Sequence, residues 1–148
     1  MTFDELLLHL LKRGVSYIVI GGVACALNGF VRATEDVDII IEPSVRNIEL
    51  MLETLRKWGE GFAGELKAED FTMTPGAIRI IEDFPLDVFT VINGKTYNDF
   101  ISLTKKNSDG ITYLNEEALI ELKKDTRREK DAIDVLALTR ILKEKEGR

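Results

Sequence analysis

Hydrophobic and polar positions along the first third of the chain predict a helix, a buried strand and a second, shorter helix. The capping box Thr2-Phe3-Asp4-Glu5 opens an apolar stripe at helical spacing, which we expect to end at Gly14. Residues 16–20 form a continuous apolar run that is typical of a buried strand. The pair Gly21-Gly22 then leads into a short helical run over 23–28.

The order of strand followed by helix recurs immediately downstream. A strand is predicted from Asp36 to Ile41, where Glu42-Pro43 ends it. Ser44 is expected to cap an amphipathic helix that reaches Trp58. Residues 59–76 are polar and rich in glycine without a clear period, so a loop or an irregular edge element is expected there.

The second half of the chain predicts a hairpin and a helical C-terminus. Two β-rich runs at 77–81 and 86–92 flank a turn sequence, whereas residues 96–105 fit neither period clearly. Residues 111–114 are expected to form a short edge strand before a helix capped by Asn115. From Glu129 onward a broad apolar face predicts a last helix.

Length and composition narrow the class of protein. At 148 residues the chain fits one domain over 1–148, with a core at about 15–92 and C-terminal helices at about 115–143. The net charge of −6 disfavours generic DNA binding, and the single Cys25 excludes an internal disulfide. The first residues lack the pattern of a signal peptide, and no apolar run reaches the roughly 20 residues of a membrane span. We therefore expect a cytoplasmic protein without a membrane partner.

The candidate chemistry begins with acidic residues in predicted strands. Asp36 and Asp38 project to the same side of their strand, with Cα atoms roughly 6 to 7 Å apart. Two carboxylates at that spacing can share one metal ion or hold two, as in phosphoryl transfer. A third acid, Asp87, lies between apolar residues of the predicted hairpin and could complete the set. The alternative is that these acids are solvated strand positions.

The glycine pair decides between those interpretations. Gly21 and Gly22 lack side chains, so a phosphate can approach the backbone at the start of the following helix. If the strand ending at Ile20 lies beside the strand starting at Asp36, the phosphate seat and the acids share one cleft. Without the acids, the glycine pair would indicate only a tight turn.

Polar and basic residues elsewhere are candidates for contacts with the substrate. Arg32 could clamp a phosphate or pair with Glu35, and Thr34 could be a ligand or a turn residue. The C-terminal helices supply further basic residues, which could reach a triphosphate or form an ordinary solvated face: Lys123, Arg128 and Lys130.

The ordered set of motifs resembles a known superfamily. Gly21-Gly22, Asp36-Val37-Asp38 and Leu86-Asp87-Val88 are similar to the glycine pair, Asp-x-Asp and third carboxylate of DNA-polymerase-β-like nucleotidyltransferases. Gly21 to Ala24 and Arg32-Ala33-Thr34 are similar to the minimal prokaryotic members related to AbiEii-type toxins and minimal antitoxin transferases. A C-terminal Lys…Arg-x-Lys-Asp-x-x-Asp pattern resembles the one formed here by Lys123 or Lys124, Arg128, Lys130, Asp131 and Asp134.

The resemblance implies both a fold and a reaction. The implied fold is α+β, with a mixed sheet flanked by helices and a helical C-terminus. The implied reaction transfers a nucleoside monophosphate from an NTP to a hydroxyl of a protein, RNA such as tRNA, or small molecule, and releases pyrophosphate. Asp36, Asp38 and Asp87 would be catalytic and hold two Mg²⁺ ions, with Mn²⁺ as an alternative, while Gly21 and Gly22 would seat the phosphates.

One departure from the superfamily favours a second interpretation. Most active members have a serine where this chain has Gly22. The alternative is a weakly active or inactive interaction module of the same fold, such as one partner of a toxin–antitoxin pair.

Overall fold

The computed structural model describes residues 1–126 and 128–147. The helices α1 to α6 are Phe3–Lys12, Gly21–Leu27, Val45–Leu55, Tyr97–Phe100, Glu116–Lys123 and Glu129–Glu146. The strands β1 to β6 are Tyr17–Ile20, Val37–Ile41, Ala77–Ile81, Pro85–Phe89, Thr104–Lys106 and Thr112–Leu114. Short 3-10 turns lie at Phe62–Glu65, Ala68–Asp70 and Ile101–Leu103.

The six strands form one mixed sheet in the order β3-β4-β2-β1-β6-β5. The pairs β1–β2, β3–β4 and β5–β6 are antiparallel, whereas β2–β4 and β1–β6 are parallel. Helices flank this sheet and the described chain ends in the long helix α6. The predicted α+β class is confirmed. None of the described helices combines the length and hydropathy of a membrane-spanning segment.

The predicted helix starts are confirmed in their hydrogen bonds. The Thr2 hydroxyl accepts from the Glu5 N–H at 3.2 Å, and the Glu5 carboxylate accepts from the Thr2 N–H at 3.3 Å. Ser44 and Asn115 cap α3 and α5 through their side-chain oxygens. Each cap satisfies an N–H that the first turn of a helix leaves unpaired, which fixes where the helix begins.

The centre of the sheet is apolar on both faces. All four residues of β1 are buried, as are Val37 and residues 39–41 of β2. Strands covered on both faces are expected to be continuous apolar runs, which is how β1 was predicted. Trp58 lies beyond the end of α3, not within it as predicted, and packs against Phe84 with ring centroids 5.1 Å apart.

The structure corrects the predicted starts of two elements and the predicted place of one strand in the sheet. Helix α2 begins at Gly21 instead of residue 23, since a φ of +67° at this glycine lets the chain turn directly from strand to helix. Strand β2 begins at Val37, so Asp36 lies just before it. Strand β6 is interior and not an edge, because residues 104–106 of the ambiguous segment pair with its outer side.

Candidate functional site

Three carboxylates meet at one end of the sheet, one on β2, one just before β2 and one on β4. Asp38 of β2 lies opposite Ile20 of β1 and, on its other side, directly opposite Asp87 of β4. Asp36, Asp38 and Asp87 each place one carboxylate oxygen within 4.8 Å of those of the other two. The structure therefore brings together the acids that the sequence analysis selected. Hard divalent cations prefer oxygen ligands, so this set of donors fits a metal ion.

Arg79 joins this acidic group and was not predicted. It lies on β3 directly opposite Asp87, so Arg79, Asp87 and Asp38 form one row across three strands. Its Nε and Nη2 donate to the two oxygens of Asp87, both at 2.8 Å. Nη2 also donates to Asp36 at 3.2 Å. The hairpin pairs Ile81 with Pro85, so counting back along its strands would have placed Arg79 opposite Asp87.

The three carboxylates do not share the same electrostatic environment. Burial, together with the negative charges of Asp36 and Asp87, raises the pKa of Asp38 to about 7. Hydrogen bonds from Arg79 lower the pKa of Asp87 despite partial burial. Asp38 is therefore the member of the group whose negative charge is least compensated. A cation beside Asp38 would supply that compensation.

The two glycines allow the chain to pass close to the acids. A Cβ at Gly21 would overlap the Asp38 carboxylate, and the positive φ of Gly21 would strain any other residue. A Cβ at Gly22 would lie 2.7 Å from Oγ1 of Thr34 and 3.2 Å from Nη2 of Arg32. A side chain at either position would displace a residue of the cleft. Close packing at the site is thus a second reason for glycine at these positions.

A buried ionic network connects the cleft to the C-terminal helices. Asp134 of α6 is fully buried and accepts from Arg32 at 2.7 and 2.9 Å and from Lys123 at 2.8 Å. Lys123 also donates to Asp131 at 3.1 Å. Burial alone would raise the pKa of Asp134, but the hydrogen bonds from Arg32 and Lys123 lower it. Arg32 therefore pairs with Asp134 and not with Glu35.

The same network corrects the simplest interpretation of the basic C-terminal residues. The side chain of Lys123 is only 11% exposed, so it does not belong to a solvated helix face. Arg128 and Lys130 are exposed at the rim of the cleft. Thr34 is half-buried, and its hydroxyl is 3.4 Å from the carbonyl oxygen of Arg32. Asp134 had entered the sequence analysis only through the resemblance.

The three acids and the basic side chains described above line one cleft of about 430 Å³, whereas Asp134 is buried and does not line it. That volume lies within the range of roughly 300 to 1,000 Å³ for small-molecule sites. The predicted site residues all line it: Gly21, Gly22, Arg32, Thr34, Asp36, Asp38, Asp87, Lys123, Arg128 and Lys130. The cleft therefore combines a group of three carboxylates, a backbone segment without side chains at Gly21 and Gly22, and basic side chains.

No protein-family model matches the chain, and no curated protein is significantly similar to it. A fold alone does not determine a function. The function is therefore inferred from the chemistry of the site.

Proposed function

We propose that the protein is a metal-dependent nucleotidyltransferase that transfers a nucleoside monophosphate from an NTP to a hydroxyl acceptor. The observation that carries this proposal is the convergence of Asp36, Asp38 and Asp87 beside the glycine backbone in a cleft that also contains basic side chains. A triphosphate with divalent cations requires such a combination, because the cations need anionic ligands and the phosphates need donors.

The acidic group would hold the metal ions. Asp36, Asp38 and Asp87 are the ligands in this proposal, two Mg²⁺ ions are the cofactors, and Mn²⁺ can replace them. Bound there, the ions would neutralise phosphate charge and stabilise the attacking and leaving oxygens. The number and identity of the ions are part of the proposal, and the oxygen donors support it.

The glycine pair and the basic residues would bind the triphosphate. Gly21 and Gly22 leave room for phosphate oxygens near the backbone. Arg32 and Lys123 are held at the cleft by Asp134, which limits their side-chain freedom before substrate arrives. The exposed Arg128 and Lys130 would contact the outer phosphates or the acceptor, and Thr34 would donate its hydroxyl.

The transfer step forms one bond and breaks one. The acceptor oxygen attacks the α-phosphorus, the bond from that phosphorus to the bridging oxygen breaks, and pyrophosphate leaves. Asp87 would accept the proton of the acceptor hydroxyl. While Arg79 is bound to it, Asp87 has a lowered pKa and is a weak base. Release from Arg79 would therefore favour its role in the reaction.

Labelling by NTPs tests this function and identifies the acceptor class. The purified protein is incubated with each NTP labelled at the α-phosphate, with Mg²⁺ or Mn²⁺ and a cell extract. We expect label on a protein, on RNA such as tRNA, or on a small molecule. Asp36→Asn and Asp38→Asn should abolish labelling and keep the fold, while the exposed Asp109→Asn is the matched control. Undiminished labelling by both site variants would contradict the assignment.

A second candidate is an interaction module of a toxin–antitoxin pair with little catalysis. Ile133 and Leu136 of α6 favour this candidate. They are 54% and 71% exposed, and they lie three positions apart on one face of the helix. Exposed neighbouring apolar residues are typical of interaction surfaces. A small helical protein from a neighbouring gene is the partner to test. Binding that is lost in Leu136→Lys but kept in Asp38→Asn without NTP would favour this candidate.

A further inference from the structure

We propose that Arg79 competes with a divalent cation for Asp87, so that metal binding at this carboxylate requires release of the guanidinium. This inference rests on the proposed metal site, but it concerns a residue outside the predicted ligands. Arg79 would thereby set how tightly the cleft binds cations before a nucleotide is present.

The position of the guanidinium supports direct competition. Arg79 uses Nε and Nη2 to engage both oxygens of Asp87 at 2.8 Å. Nη2 is also 3.2 Å from Asp36, so it lies between the two carboxylates. A cation bridging Asp36 and Asp87 would need to occupy that same region. A guanidinium and a divalent cation repel each other, so both cannot remain there.

The charges of the three carboxylates and Arg79 also support competition between Arg79 and a cation. Asp36, Asp38 and Asp87 carry three negative charges when ionised, and Arg79 offsets one of them. A single divalent cation balances the remaining two charges. A second cation would leave excess positive charge unless Arg79 moves away or an anion such as a triphosphate arrives. Occupation of all three carboxylates by cations therefore requires Arg79 to leave Asp87.

The fold allows Arg79 to move. It lies on β3, one of the two edge strands of the sheet, and its side chain is 51% exposed. No core packing needs to be broken for the guanidinium to swing towards solvent. Once released, its planar fork can bind a phosphate through two parallel hydrogen bonds. The same side chain would then favour nucleotide binding after metal binding.

Calorimetric titration with Mn²⁺ in the absence of nucleotide tests the competition. The unmutated chain is compared with Arg79→Gln and Arg79→Lys, and the control is Arg13→Gln, which removes the surface pair with Glu53. We expect Arg79→Gln to bind Mn²⁺ about five- to tenfold more tightly, since solvent screening moderates the effect of an exposed pair. Arg79→Lys should bind Mn²⁺ with an intermediate affinity, and Arg13→Gln should bind it with the affinity of the wild type.

A second measurement on the unmutated chain does not depend on the folding of a variant. The Nε–H resonance of Arg79 is assigned by its loss in Arg79→Lys, and Mg²⁺ is then added. We expect this resonance to move to the position of a free arginine side chain as Mg²⁺ binds. A Nε–H signal that stays unchanged at Mg²⁺ saturation would overturn the inference, as would a folded Arg79→Gln protein with unchanged or weaker Mn²⁺ affinity.

The variant Asp38→Asn separates this inference from the proposed function. One possible result is that the wild type binds Mn²⁺, Asp38→Asn does not, and Arg79→Gln binds Mn²⁺ with the affinity of the wild type. The metal site would then be supported and the proposed role of Arg79 would be wrong. If no protein in the series binds Mn²⁺, the proposed function is wrong and the competition fails with it.

Discussion

Asp134→Asn should destabilise the protein strongly, because Asp134 is the centre of a buried ionic network. The residue is 0% exposed, and three charged hydrogen bonds of 2.7 to 2.9 Å end on its carboxylate. Removing one member of a buried ion pair costs about 3 to 5 kcal/mol, since the partner remains desolvated. In Asp134→Asn, Lys123 retains its hydrogen bond to Asp131, and the Arg32 side chain is 20% exposed to solvent. We therefore expect a loss at the lower end of that range, about 3 kcal/mol.

Urea unfolding followed by circular dichroism measures this loss. A typical domain has about 5 to 15 kcal/mol of stability, so Asp134→Asn should shift the midpoint clearly and still fold. The control is Asp131→Asn: Asp131 is 6% exposed, and among the described residues it accepts side-chain hydrogen bonds from Lys123 and Thr126. It should cost less than Asp134→Asn. A loss below about 1 kcal/mol for Asp134→Asn would refute the reasoning, because such a value is typical of a solvent-exposed pair.

Three further predictions concern the cleft and the packing of α3 against the sheet. Gly22→Ala should lower the stability by about 1 to 2 kcal/mol and should also weaken NTP binding, because its Cβ would lie 2.7 Å from Thr34 Oγ1. Urea unfolding and nucleotide titration would measure these two effects. Unchanged stability and NTP affinity would contradict the close packing at Gly22. In EDTA, the free energy of unfolding should fall by on the order of 1 to 3 kcal/mol from pH 5 to pH 8, because the raised pKa of Asp38 favours its protonated form in the folded protein. Asp38→Asn should flatten this slope, and an equal slope would exclude Asp38 as its source. Asn47→Ala should cost about 2 to 3 kcal/mol in urea unfolding, because Asn47 makes two hydrogen bonds with the Ser16 backbone at 2.8 and 2.9 Å; a loss under 0.5 kcal/mol would contradict this.

The parts of the fold that local rules determine could be predicted from the sequence. Thr2, Ser44 and Asn115 start helices through their own side chains, so their positions can be read without knowledge of the tertiary fold. The hairpin of β3 and β4 has a turn sequence between two β-rich runs. Strand order depends on distant pairings, which is why β6 was placed at the edge.

Helix α6 shows how periodicity can mislead. Its apolar residues predicted a helix with one broad apolar face, yet Ile133 and Leu136 on that helix are exposed. The buried stripe consists of Asp131, Asp134 and Leu138, because two acids of α6 meet basic side chains from other elements. A hydrophobicity pattern assigns acids to solvent and cannot anticipate partners from distant parts of the chain. The burial of Asp134 therefore required the structure.

The candidate site also contains residues that the sequence could predict and residues that required the structure. Asp36 and Asp38 could be paired from strand geometry alone, and Asp87 from its place in a predicted strand. Arg79 was missed because a charged residue on an exposed strand position is ordinarily solvated, and only the register of the hairpin places it on Asp87. Arg32 had two open interpretations, and neither named its partner Asp134, which lies 102 positions away.

Anomalous diffraction from crystals soaked in Mn²⁺ would locate bound ions in the cleft. We expect a strong peak among the carboxylates of Asp36, Asp38 and Asp87, and its loss in crystals of Asp38→Asn that diffract equally well. A fully soaked wild-type crystal with no peak at these three carboxylates would contradict a metal centre in this cleft.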